Sequence, residues 1–480
     1  MTPLQRFRRP AGRAIQYAMA LGLILALVAC AAPTPAPTAA PTATALPEPA
    51  ATSTSLPTPT SAPSQTPSPL PPTATATVAP TATETLPPPE PLTWPGGTRP
   101  LLLAHYMPWY QTPSVDGAWG WHWTMNHFTP TQAADGSWSG LASHFTPLTG
   151  PYSSNDEAVL EYQVMLMKLS GIDGVIVDWY GSDNALDYGS INTATNTLFK
   201  VIKKAGLKFA ICYEDQTISH LIDNGNFTAA DALKHGQAVM SYLQTTWFKD
   251  PAYLKSAGQP VLFNFGPQYF KNAGDWQSLF SGLNPKPLLI TENTPGVPEA
   301  AAAFPWPPMA ASVGGVLAQS ALKDYLDGFY SLAPYWPYKI GGAFPGFYDI
   351  YQQAGVGNSY GFLDAQGDRT FRFTLQEALN SKLDAIQLIT WNDYGEGTNI
   401  EPTVEYGYRY LEVLQEANRL TQGAKFTYTA DNLRLPLAWY QARVKHANDS
   451  AALAKLDQAF QAVSAGNVKS AQAIIQGLSQ

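Results

Sequence analysis

The sequence predicts an α/β fold, a (β/α)8 TIM barrel. A signal peptide (1–29) and a disordered Pro/Thr/Ala-rich linker (30–98) precede it, and a small C-terminal helical extension (426–480) follows the barrel domain (99–425). Three observations carry this reading. From Arg99 onward, eight short apolar runs alternate with helical patterns, the signature of parallel strands with crossover helices. Nearly every run ends in a polar or aromatic residue, and in a parallel barrel those ends converge on one face. No Gly-rich phosphate loop follows the first run, which argues against the runner-up, a doubly wound open sheet.

The N-terminus is organised for export. Arg6, Arg8, Arg9 and Arg13 precede an apolar run from about Ala18 to Ala29, too short to span a bilayer comfortably. Leu27-Val28-Ala29-Cys30 resembles the lipobox of bacterial lipoproteins, which implies cleavage before Cys30 and lipidation of its sulfur. The alternatives are an ordinary signal peptide or an uncleaved anchor. Beyond it, 19 of the chain's 42 prolines fall in residues 31–98, with only Glu48, Glu84 and Glu90 charged. So little apolar surface cannot offset the ordering entropy, and the segment reads as an extended stalk. Without the leader, 24 basic residues face 36 acidic ones, a net of −12, which argues against nucleic acid as a partner. The expected address is the outer face of the cell membrane, through a lipid on Cys30, as a monomer. The other cysteine, Cys212, sits in apolar "KFAICYED" and reads as a buried structural thiol.

The candidate strands, in order, are "PLLLAHYMPWY", "GVIVDWYG", "KFAICYED", "PVLFNFG", "PLLITEN", a poorly marked "AAAFPWP", "KIGGAFPGFYDI" and "AIQLITWND". Their polar ends include His105 and Tyr106, Asp178 and Trp179, Glu214 and Asp215, Asn264, Glu292, Trp306, Tyr348, and Asn392 with Asp393. Among the helices, "DEAVLEYQVMLMKLS" has Ser154 and Glu157 as an expected capping box and stops at Gly171. Near the C-terminus, Leu453, Leu456, Phe460 and Val463 recur at helical spacing, followed by Ser-Ala-Gly-Asn and a second amphipathic stretch, a helical hairpin.

The chemistry narrows by exclusion. The seven histidines are dispersed without metal-ligand spacing, and neither a nucleophile elbow nor a dinucleotide fingerprint occurs. No metal and no cofactor is expected. The stretch "HYMPWYQTPSVDGAWGWHWT" interleaves Trp109, Trp119, Trp121 and Trp123 with His105 and His122. Such rings stack on the apolar faces of sugars, or simply plug the barrel. In "ITWNDYGEGTNIEP", Asp393 and Glu396 stand three apart between flexible glycines Gly395 and Gly397. Two carboxyls are what glycosidic hydrolysis needs, one as acid and one as base or nucleophile.

"WNDYGEGTNIEP" resembles the signature of glycoside hydrolase families 71 and 99: "WNDYGE" is similar to the α-1,3-glucanases of family 71, "EGTNIEP" to the endo-α-mannosidases of family 99. "HYMPWY", "GWHW" and "CYED" also resemble the family 99 pattern, over roughly residues 100–425. The resemblance implies hydrolysis of α-linked glycans, with Glu396 as general acid and Asp393 as its partner. In family 99 that partner is Glu and deprotonates the sugar's own 2-hydroxyl with retention. In family 71 it is Asp, and the pair activates water with inversion. Glu214 matches an acid that contacts substrate hydroxyls, and Asn392, Tyr106 and Trp391 would line the same subsite. Trp109, His122, Trp179, Asp178 and Glu401 complete the expected substrate-binding set, Asp178 and Glu401 equally readable as structural acceptors. Two other classes stay open: a non-catalytic glycan-binding lipoprotein, and a structural envelope protein.

Overall fold

All eight apolar runs form parallel strands, because each is buried on both faces, between barrel interior and outer helices. They are β1 (Leu101–Tyr106), β2 (Gly174–Trp179), β3 (Lys208–Tyr213), β4 (Gln259–Asn264), β5 (Leu288–Glu292), β6 (Ala300–Phe304), β7 (Ile340–Ala343) and β8 (Ala385–Leu388). They pair in the order β7-β8-β1-β2-β3-β4-β5-β6, and β6 lies beside β7, so the ring is nearly closed. This computed structural model describes residues 89–479. The expected signal peptide, Cys30 and the linker up to residue 88 lie outside the described residues.

Helices α1 (Glu157–Ser170), α2 (Tyr188–Lys204), α3 (Ala232–Leu243), α4 (Gln319–Leu332), α5 (Arg369–Asn380) and α6 (Arg409–Gln422) form the outer layer. Only a short turn joins β5 to β6, where the strand pattern was faintest. The expected capping box at α1 does not form. Asp156 caps the helix instead, accepting from Ala158 N, while Ser154 Oγ accepts from Tyr110 N and so pins the loop after β1. Gly171 ends α1 as expected, at φ +81°, with Asn418 of α6 packed where a Cβ would project.

At the other end of the domain, α7 (Leu435–Lys445) and α8 (Ser450–Ser464) pack on α1, and α9 (Val468–Ser479) packs on α7 and α8. Leu456, Phe460 and Val463 are buried as the spacing required. The hairpin proves to be three helices: Trp439 of α7 is fully buried and donates its Nε1–H to Leu456 O at 2.8 Å. Ahead of β1, Leu92 is buried with its N–H on Glu416, and Thr93 bonds Gln376, so residues 92–93 run across α5 and α6.

Candidate active site

Strand alternation decides what reaches the barrel mouth. Side chains along a strand point alternately to opposite faces, so neighbours in sequence part company. His105 and Asp178 face the interior, where they floor a cavity of about 310 Å³. Tyr106 and Trp179, one residue later, face the helices. The Tyr106 hydroxyl donates to Gln163 of α1 at 2.7 Å, and Trp179 donates to Asn192 of α2 and stacks on Tyr242. Returning to the inward phase, Met107 and Tyr180 again line the cavity.

The walls join the remaining carboxyls to an aromatic rim. Glu214 follows β3, and Asp393 and Glu396 follow β8; together with Asp178 they give the cavity four carboxyls and no lysine or arginine. Trp109 stacks on His122, ring centroids 4.1 Å apart and planes 6° apart, and Tyr180 lies beside Trp109. Trp121 on one side and Tyr360 on the other are exposed at the lip. This is a pocket for something with apolar faces and hydroxyl edges.

A tight loop holds the acid pair. Asp393 Oδ1 accepts the Glu396 N–H at 2.9 Å, and Asp393 N donates to Thr390 Oγ1. Glu396 O and Gly395 O accept from Tyr348 N and Ile350 N, which ties the loop to the segment after β7. Gly397 is needed for its conformation, φ +67°, and because a Cβ would collide with Tyr348 O. Gly395 has no positive φ; its lack of a side chain leaves room beside Met125 and the Asp393 carboxyl.

Electrostatics separate the two acids. Burial, then the Asp393 and Asp349 charges, holds Glu396 well above the ordinary carboxyl range, and its Oε2 has no hydrogen-bond partner among the described residues. Burial raises Asp393 only to about 6, since the backbone N–H of Glu396 stabilises its charge. Glu396 therefore holds its proton more tightly than a free carboxyl, beside an Asp393 that ionises near 6, the division of labour an acid and a base require. Burial lifts Glu214 to about 7, and burial followed by the Glu214 charge holds Asp178 well above the ordinary carboxyl range. Burial lowers His105 to about 3, so its imidazole is neutral.

Of the expected site residues, Glu396, Asp393, Glu214, Asp178, Trp109 and His122 come together around the cavity. Tyr106, Trp179, Trp391, Asn392 and Glu401 stand behind it. Trp391 is fully buried in the core. Asn392 is clamped between the N–H and C=O of Met107 and also donates to Tyr152. Glu401 accepts from Tyr152 and Tyr394 on one oxygen and from Gln163 on the other. Burial raises it to about 7, and these donors offset part of that shift. The wall residues missed by sequence, such as Tyr180 and Tyr110, were signalled by period-two spacing from Asp178 and by the aromatic run after β1. One potential metal-ligand set also meets here: His105, Asp178 and Cys212, with donor atoms within 4.8 Å of one another.

The profile of glycosyl hydrolase family 99 matches residues 99–288, from the start of β1 into β5. Over 117 residues the chain is 32% identical to a glycoprotein endo-alpha-1,2-mannosidase of Mus musculus, a match spanning 22% of this chain and 24% of that relative's length. The GH99 endo-alpha-mannosidase of Bacteroides thetaiotaomicron, solved in complex with BIS-TRIS-propane, superposes with a TM-score of 0.50 at 20% identity. That match covers 68% of this chain and 98% of the other. A second structure of the same enzyme gives 0.49 at 20% identity, covering 70% and 98%. The profile match ends before Asp393 and Glu396, so that pair rests on its own geometry.

Proposed function

From the premise that the chain carries a family 99-like domain, we propose that it is a glycoside hydrolase cleaving α-linked glycans of the α-mannan type. One observation carries this reading: two loop carboxyls, Glu396 and Asp393, face one barrel-mouth cavity with their proton affinities driven apart. Glu396 donates its proton to the glycosidic oxygen as the bond to the leaving sugar breaks. Asp393 accepts the proton of the attacking hydroxyl, and Glu214 and Asp178 hold hydroxyls of the bound sugar. Trp109 and His122 supply the stacking surface, Trp121 and Tyr360 the rim that a longer chain crosses.

The leader and the Pro/Thr-rich stretch support an exported enzyme tethered outside the cell by a lipid on Cys30. Cys30→Ala should then shift the chain from the membrane fraction to the soluble one. The decisive experiment incubates the protein with α-mannan and α-1,3-glucan and follows the anomeric signals of the products by NMR. Release of reducing ends from α-mannan supports the proposal, and the first-formed anomer reports retention or inversion. Measurable binding without cleavage of any α-linked substrate would overturn it in favour of a glycan-binding protein.

A further inference from the structure

We propose that His105, Asp178 and Cys212 form a binding site for one zinc-like divalent cation at the floor of the barrel-mouth cavity. The three come from neighbouring strands β1, β2 and β3. Asp178 and Cys212 are direct register partners, and His105 is paired with Ile176, one inward step below Asp178. Their donor atoms lie within 4.8 Å of one another, and all three side chains are buried. Tetrahedral ligands at zinc distances stand about 3.5 Å apart, so side-chain rotations of about an ångström would close the set on an ion.

Their hydrogen bonding sets these residues apart from Asp215 and Glu401, two other buried acids of the barrel. Neither ring nitrogen of His105 and neither oxygen of Asp178 meets full hydrogen-bond geometry with a partner among the described residues, with only the Gln387 amide beside the imidazole and the Glu214 carboxyl beside Asp178. Buried polar groups are ordinarily satisfied, and this fold does satisfy them nearby. Asp215 accepts from the N–H groups of Gln268, Tyr269 and Phe270 and from the Asn264 amide, and Glu401 has three donors.

A water could bridge the imidazole and the carboxyl, but a thiol is a poor partner for it. Nitrogen, oxygen and sulfur together suit a borderline-soft dication, whose charge the Asp178 carboxylate and Cys212 thiolate would balance. His105 and Asp178 line the cavity, so the mouth gives an ion its way in. Three protein ligands would leave the fourth position open toward the cavity, for a water or a sugar hydroxyl.

The test uses tag-free full-length protein, dialysed against Zn²⁺ and then against metal-free buffer, with elemental analysis. About one zinc per chain is expected, against less than about a tenth if only water fills the site. Loading with Co²⁺ should give a sulfur-to-cobalt charge-transfer absorption that Cys212→Ser abolishes, and Zn²⁺ should raise Tm of the parent protein but not of the variant. Substoichiometric zinc in the parent protein, or cobalt bound without the sulfur band, overturns the site. Neither result depends on a variant folding or on hydrolytic activity, so the test is separate from that of the proposed reaction.

Discussion

Glu396 and Glu401 are five residues apart on the same loop, and both are lifted above the ordinary carboxyl range by burial, yet their surroundings differ in kind. Glu401 faces the helices with three donors on its two oxygens, joined through Tyr152 and Gln163 to Asn392 and Tyr106. Glu396 faces the cavity with one buried oxygen unpartnered. A satisfied buried carboxyl braces structure. One with an unpartnered oxygen beside a second carboxyl holds its proton more tightly, because burial and the Asp393 charge outweigh the help that Trp306 gives its charged form. The same division runs around the mouth: His105 and Asp178 point inward without a well-formed hydrogen bond, Tyr106 and Trp179 outward with one.

The sharpest way to break this comparison is to neutralise each glutamate. Glu396→Gln removes the acid and should lower kcat by about 10²–10⁴-fold with the melting temperature nearly unchanged. Steady-state kinetics within tenfold of the parent would remove Glu396 from the role of acid. Glu401→Gln should do the reverse. Its new amide has one accepting oxygen and cannot serve both the two tyrosyl hydroxyls and the Gln163 amide now bonded there, at a cost of about 1–3 kcal/mol in urea unfolding, with a smaller loss of kcat. If Glu401→Gln lost kcat as steeply as Glu396→Gln at unchanged stability, the wall would not be structural.

The pH profile sharpens the inward side. A carboxyl whose affinity is raised stays protonated until the pH passes its new value. Asp393 is therefore a base only above about 6, and kcat/KM should fall as the pH drops through that value. Glu396, held well above its usual range by burial and the Asp393 charge, keeps its acid form to higher pH than an ordinary carboxyl. An acidic limb near the ordinary aspartate value would contradict the burial of Asp393. The smallest effect belongs to Tyr106→Phe, which deletes the bond to Gln163 at a cost of about 0.5–1.5 kcal/mol and should leave KM unchanged.

Much of this was legible in the chain. The eight apolar runs specified eight strands, since only residues acceptable on both faces can build a parallel barrel. Asp393, Glu396, Glu214 and Trp109 were found because strand ends and the loops after them gather at one face. The expected residues that stand behind the cavity do so for reasons of phase and path. Tyr106 and Trp179 lie one residue from inward-facing neighbours on their strands, and Asn392 and Glu401 are turned away by the loop after β8; proximity in sequence says nothing about either. Likewise Ser154 had the right spacing for a cap, but Tyr110 N claimed its hydroxyl, a tertiary contact that local pattern cannot register.

By itself, then, the sequence determined which segments are strands, where the loop acids lie and which family they resemble, because periodicity and local chemistry are written in neighbouring residues. Only the tertiary structure decided which side of each strand faces the cavity, and that His105, Asp178 and Cys212 meet although 73 and 34 positions separate them in turn. Ring closure brings β1, β2 and β3 side by side, and register then fixes which side chains share a layer, a long-range condition no single stretch contains.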